Sequence, residues 1–84
     1  MFVRIIDAKY VEDYKVQLRF KDGVEGIVDL QNELHGAIFE PLKDKRYFSE
    51  LSLNRDIHTI TWKNGADISP EFLYNKLNGN KNFE

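Results

Sequence analysis

The acid–base repertoire of this 84-residue chain is fourteen carboxylates and two histidines, with no cysteine. Two carboxylates facing one another across a cleft can hydrolyse a glycosidic bond or hold a divalent cation. Asp29, Asp67 and Glu71 are the candidates, because each falls near a strand end or a helix start. Each also has a structural reason to be there. Glu71 would sit in a first helical turn and complement the helix dipole. Asp67, just before a capping residue, can bond backbone amides around a turn. His35 and His58 have no second histidine at helical spacing, and a zinc site needs three or four ligands. Ser49, Ser52, Ser69, Thr59 and Thr61 lie in no nucleophile-elbow pattern, and the glycines have no phosphate-loop spacing. The scaffolding role is favoured throughout: no catalytic residue, no metal and no cofactor is expected.

The elements that would position these groups are easier to read. Tyr14-Lys15-Val16-Gln17-Leu18-Arg19-Phe20 alternates apolar and polar side chains, the period of a strand with one buried face. Val3 to Tyr10 reads as the strand before it, with a polar break at residues 11–13. Lys21-Asp22-Gly23 turns into a third strand, Val24 to Leu30, where Ile27 falls on the outer face. Gly26 marks a bulge or a close approach by a helix. Residues 31–39 form a loop pinned by Leu34, Ile38 and Phe39, with Gly36 as its pivot. Pro41 opens a helix over residues 42–51, in which Leu42, Tyr47, Phe48 and Leu51 recur at helical spacing. Asn54-Arg55-Asp56 turns the chain into a strand over residues 57–62.

The segment from Trp62 to Tyr74 carries the densest local signals. Asn64-Gly65 predicts a two-residue hairpin turn, since both residues tolerate positive φ. Ala66-Asp67-Ile68 reads as the return strand. Ser69 caps a helix whose first position is Pro70. That helix runs to about Leu77, with Phe72, Leu73 and Leu77 on one side and Gly79 as its left-handed cap. The expected order is β-β-β-α-β-β-α: an α+β domain over residues 1–78, a small mostly antiparallel sheet with helices packed on one face. Residues 79–84 are expected to be a loose tail.

Composition narrows the function classes. With 42% hydrophobic and 31% charged residues the chain is globular rather than disordered. One Trp, four Tyr and six Phe supply much of its buried area. Without cysteines it has neither disulfides nor thiol chemistry, and the reducing cytoplasm is the expected home. No apolar run approaches a membrane span, and the first residues lack a secretory pattern. A net charge of -2 disfavours direct nucleic-acid binding, which depends on neutralising phosphates. Lys43, Lys45 and Arg46 form the densest basic run, but Asp44 interrupts it, as in a solvated helix face.

The chain resembles the bacterial domain-of-unknown-function family 2442 (DUF2442) over nearly its whole length, about Val3 to Leu77. The likeness rests on Tyr14-Lys15-Val16-Gln17-Leu18-Arg19-Phe20 with Asp22-Gly23, on Val28-Asp29-Leu30, on Ile38-Phe39-Glu40-Pro41-Leu42, on Phe48, and above all on Trp62 to Tyr74. In that last stretch Trp62, Asn64, Gly65, Asp67, Pro70 and Glu71 stand in register with the family motif, as an interaction surface or a structural motif. The resemblance implies a small α+β domain without established enzymatic activity. Some relatives carry this domain ahead of a helix-turn-helix; others look like partners of a small protein encoded beside them, in toxin–antitoxin-like arrangements. No second domain is expected here, so the helix-turn-helix role is not carried over.

The expected function is therefore a non-catalytic protein-interaction or regulatory module, an antitoxin-like partner of a neighbouring small protein. Self-association through an open strand edge is a second expectation. The alternative is a nucleic-acid-associated regulator using Lys15, Arg19 and Lys21 on the polar side of one hairpin. The third is a carboxylate hydrolase, which needs two of Asp29, Asp67 and Glu71 in one cleft. Trp62 is either core or a recognition residue, since Trp is enriched at binding hot spots.

Overall fold

Alternation decides the first sheet. The structure, a computed structural model, describes residues 3–78. Strands β1 (Ile5–Glu12), β2 (Lys15–Phe20) and β3 (Glu25–Asp29) form an antiparallel meander in that spatial order. Val16, Leu18 and Phe20 of β2 are buried while Gln17 and Arg19 are exposed. Their cross-strand neighbours repeat the pattern: Val28 is buried opposite Val16, and Ile27 is exposed opposite Gln17. One face therefore carries the core and the other is left to solvent.

β1 lies two residues further along than its sequence predicts, starting at Ile5 and reaching Glu12 through an irregularity between Tyr10 and Glu12. The reversal moves to Asp13, which takes φ 47, a conformation short polar residues tolerate. On β3, Gly26 is the close approach rather than a bulge. A Cβ there would sit 2.5 Å from Leu77 Cδ2, so its absence lets the last helix lie against the strand.

The predicted helix over residues 42–51 is broken in two. A 3-10 segment, Ala37–Lys43, contains Pro41, and a single α-turn, α1 (Lys45–Phe48), follows. Asp44 separates them in an extended conformation, its carboxylate accepting from the Arg46 amide at 2.9 Å. A short acidic side chain that caps its own downstream amide competes with a continuous helix. Leu42 and Phe48 nevertheless reach the core. Of the residues expected to pin the preceding loop, Leu34 is buried and Phe39 half-buried, but Ile38 is exposed.

The remaining strands form a separate hairpin, β4 (Ser52–Asn54) and β5 (Thr59–Thr61), instead of joining one sheet. Asn54 Oδ1 accepts from the Asp56 and Ile57 amides at 2.8 and 3.2 Å, which extends the turn to His58 at φ 60 and shortens β5. The Ile5 amide donates to the His58 carbonyl at 3.1 Å and ties this hairpin to β1. The expected return strand over residues 66–68 is a single bridge, Thr61 with Asp67, because the cap of the next helix follows at once.

Helix α2 (Pro70–Leu77) starts as its residues dictate. Ser69 Oγ accepts from the Phe72 amide at 3.3 Å and Pro70 occupies the first turn. Leu73 is fully buried, but Phe72 points outward, and Tyr74 takes its expected inward place with its ring edge-on to Phe20 at 5.0 Å. The expected cap at Gly79 and the tail over residues 79–84 lie outside the described residues. One core joins all these elements, including Val16, Leu18, Phe20, Phe48, Ile60, Trp62 and Leu73. No helix is long and apolar enough to cross a membrane among the described residues.

Candidate interaction surface

Trp62 follows β5 directly and is only 4% exposed. Its ring packs on Phe48 at 5.5 Å, and its Nε1–H donates to the Phe48 carbonyl at 2.9 Å. A buried indole needs such an acceptor, and α1 supplies it. The indole is thus part of the core, and the surface of the motif is made by its neighbours.

The turn after Trp62 differs from the expected two-residue form. The Trp62 amide donates to the Ala66 carbonyl at 2.9 Å and the Gly65 amide to the Trp62 carbonyl at 3.0 Å, enclosing Lys63-Asn64-Gly65. Gly65 alone in that loop takes a positive φ, 91°. This is the three-residue loop whose last residue is left-handed. Asn64 serves through its side chain instead. Its Oδ1 accepts from the Ala66 amide at 3.1 Å, and its Nδ2 donates to the Ile38 carbonyl at 2.8 Å.

Downstream, the backbone lines a shallow groove. Thr59 Oγ1 donates to the Ile68 carbonyl at 2.6 Å and holds the bridge strand in place. Asp67 is exposed, Pro70 half-buried and Glu71 exposed in the first turn of α2. The Glu71 carboxylate accepts from Ser69 Oγ at 2.9 Å; that bond first, and its own backbone amide second, hold it below the usual carboxylate range. Phe39, Ile68 and Phe72, with Glu33, Asp67 and Ser69, line a groove of about 350 Å³. Glu33 is committed to Lys76 at 3.0 Å. Asp67 therefore faces the groove as its uncommitted acid, beside a Phe72 that is 42% exposed. An apolar side chain with a neighbouring cation fits that chemistry. Glu33 and Phe39 gave no functional signal in the sequence, and Phe72 looked like a core position.

The three candidate carboxylates are not gathered at this groove. Asp29 ends β3 and accepts from the Gln31 amide at 3.0 Å, and neither it nor Glu71 lines the groove with Asp67. His35 is exposed in its loop, and His58 lines a different groove. Among the described residues, no three His, Asp or Glu side chains cluster as a metal would require. The polar side of the first hairpin is mixed in sign: Lys15 pairs with Glu12 at 3.4 Å, and Arg19 lies between Asp7 and Glu25 across the strands. In the run near α1, Lys43 pairs with Glu40 at 2.9 Å and Lys45 with Asp13 at 3.1 Å.

No curated protein and no solved structure matches this chain. The model of the family described as protein of unknown function (DUF2442) matches residues 5–79. That span takes in all five strands, both helices and the groove, and the chain belongs to this family.

Proposed function

We propose that the chain is a non-catalytic interaction module of the cytoplasm that binds another protein, in an antitoxin-like or regulatory pairing with a small protein encoded beside it. The observation that carries this reading is the groove at the start of α2, where Phe72 and Phe39 leave aromatic surface open beside Asp67. Open aromatic surface next to an uncommitted charge is the make-up of a binding hot spot. The partner chemistry that fits is an apolar side chain adjacent to a Lys or Arg.

Self-association through β3, one edge of the first sheet, is disfavoured. β1 and β3 are the edge strands of the first sheet, and antiparallel self-pairing of β3 centred on Ile27 would set Glu25 against Asp29. Like charges directly opposite oppose such pairing.

The test is calorimetric titration of the purified chain with the product of the adjacent gene. Binding at tens of micromolar or tighter is expected. Phe72→Ala and Asp67→Lys should each weaken it about tenfold while leaving the fold intact, since both side chains lie outside the core. No heat of binding at those concentrations would refute the reading.

A further inference from the structure

The outer face of the first sheet is built of cross-strand rows. Asp7, Arg19 and Glu25 make one row, and Glu12, Lys15 and Asp29 another, each running from β1 through β2 to β3. Both read acid, cation, acid. The row between them, Lys9, Gln17 and Ile27, ends on a side chain that is 55% exposed. Opposite charges on neighbouring strands stabilise their pairing. The alternation stops at β3, which has no strand beyond it.

The backbone of β3 is open at the same residues. The Phe20 amide donates to the Val24 carbonyl at 2.8 Å, and the Leu30 amide to the Tyr14 carbonyl at 2.9 Å. In that register Gly26 and Val28 turn their amides and carbonyls towards β2, and Glu25, Ile27 and Asp29 turn theirs away. Among the described residues, no other element bonds to those outward backbone groups. The other edge is partly covered: the Ile5 amide of β1 donates to the His58 carbonyl at 3.1 Å, and the β4–β5 hairpin packs beside that strand.

We propose that the β3 edge takes up an extended segment of another protein as a fourth, antiparallel strand, with a cation, an apolar residue and a cation at alternate positions. Continuing the charged rows sets a Lys or Arg against Glu25 and another against Asp29, and continuing the middle row sets an apolar side chain against Ile27. β2 already presents that arrangement of charge to β3 from its other side, through Lys15 and Arg19. A second β3 would bring acids to those positions instead. In such strand addition the main-chain bonds supply affinity and the alternate side chains supply specificity. No residue of this edge lines the groove at the start of α2, and the inference does not depend on the partner proposed for that groove.

The experiment is an amide NMR titration of the full chain at low salt with three capped heptapeptides: Thr-Lys-Thr-Val-Thr-Lys-Thr, the same peptide N-methylated at its valine, and Thr-Glu-Thr-Val-Thr-Glu-Thr. Saturable shifts at Glu25, Ile27 and Asp29 are expected at millimolar lysine peptide. The N-methyl group removes the donor that would face the Ile27 carbonyl, so that peptide should bind about tenfold more weakly. The glutamate peptide should also lose about tenfold. Glu25→Lys should weaken the lysine peptide about fivefold. Glu25 is exposed, and an amide spectrum unchanged beyond β2 and β3 confirms that the fold survives the substitution. Equal binding of the N-methylated peptide would show charge attraction without strand pairing and overturns the proposal. Equal binding of the glutamate peptide overturns it as well. So does the absence of saturable shifts at millimolar lysine peptide, which would mark the two acids as guards that keep the edge unpaired.

Discussion

Two turns of the molecule share one plan, Phe20-Lys21-Asp22-Gly23-Val24 and Trp62-Lys63-Asn64-Gly65-Ala66. In the first, the Phe20 amide reaches the Val24 carbonyl at 2.8 Å and the Gly23 amide reaches the Phe20 carbonyl at 3.0 Å; the second has the same two bonds at 2.9 and 3.0 Å. Gly23 and Gly65 take φ 98 and 91. Asp22 Oδ1 and Asn64 Oδ1 accept from the amide two residues on, at 3.0 and 3.1 Å. The turns part company at the other side-chain atom. The second oxygen of Asp22 accepts from Tyr74 Oη on α2, whereas Asn64 Nδ2 donates to the Ile38 carbonyl. A carboxylate only accepts and an amide does both, so each turn selects a different kind of distant partner. One oxygen builds the loop, and the second atom decides which element the loop holds.

Removing the aromatic residue that leads each turn should have the largest effect. Trp62→Ala and Phe20→Ala should each cost about 3–5 kcal/mol in denaturant unfolding, with Trp62→Ala the worse because it also strands the Phe48 carbonyl. Trp62→Phe isolates that bond and should cost about 1–3 kcal/mol. A loss no larger than that of a conservative core swap would mean the indole bond adds nothing.

Next come the glycines. Gly23→Ala and Gly65→Ala force a side chain into the left-handed region and should each cost about 1–2 kcal/mol. The double variant should show additive losses within about 0.5 kcal/mol, as separate turns require. Strong non-additivity would show that the two turns report on each other.

Exchanging the middle residues sharpens the contrast. Asn64→Asp places a carboxylate against the Ile38 carbonyl and should cost about 1 kcal/mol. Asp22→Asn should be milder, because the Tyr74 hydroxyl can turn and accept from the new amide, whereas a carbonyl cannot turn donor. Equal losses would remove the distinction.

The smallest effect is in the pH dependence. The Tyr74 bond first, and the Val24 amide second, lower the Asp22 carboxyl from 3.8, while Asp22 raises the Tyr74 hydroxyl from 10.0. The Asp22 contribution is present above pH 3.8 and is lost as pH falls through the lowered folded value. The Tyr74 contribution is present below pH 10.0 and is lost as pH rises through the raised one. Thermal melts should therefore show an acid-side decline that is reduced in Asp22→Asn and an alkaline decline that is reduced in Tyr74→Phe. Identical profiles in wild type and both variants would show that this contact contributes no proton linkage.

Much of the local structure was legible in the residues. The alternation of β2, the glycine-ended turns and the Ser69-Pro70 helix start all rest on chemistry within a few residues; at Gly26 the residues left a bulge and a helix approach open, and the docking of Leu77 decides for the helix. Misreadings arose where short polar side chains compete with regular backbone: Asp44 splits a helix, and Asn54 shortens a strand. The candidate site was legible only in part. Trp62 to Glu71 stood out as a motif, but neither the burial of Trp62 nor the outward turn of Phe72 could be read from it. Helical spacing makes Phe72 and Tyr74 equally plausible inward residues, and only the position of Phe20 chooses between them.

Residues a few positions apart interact in any compact state of the chain, so the strand period of β2, the glycine-ended turns and the Ser69 cap were settled by the order of amino acids alone. Partners tens of positions apart meet only once the elements have docked. The bond from Asn64 to Ile38 and that from Asp22 to Tyr74 therefore belong to the tertiary structure.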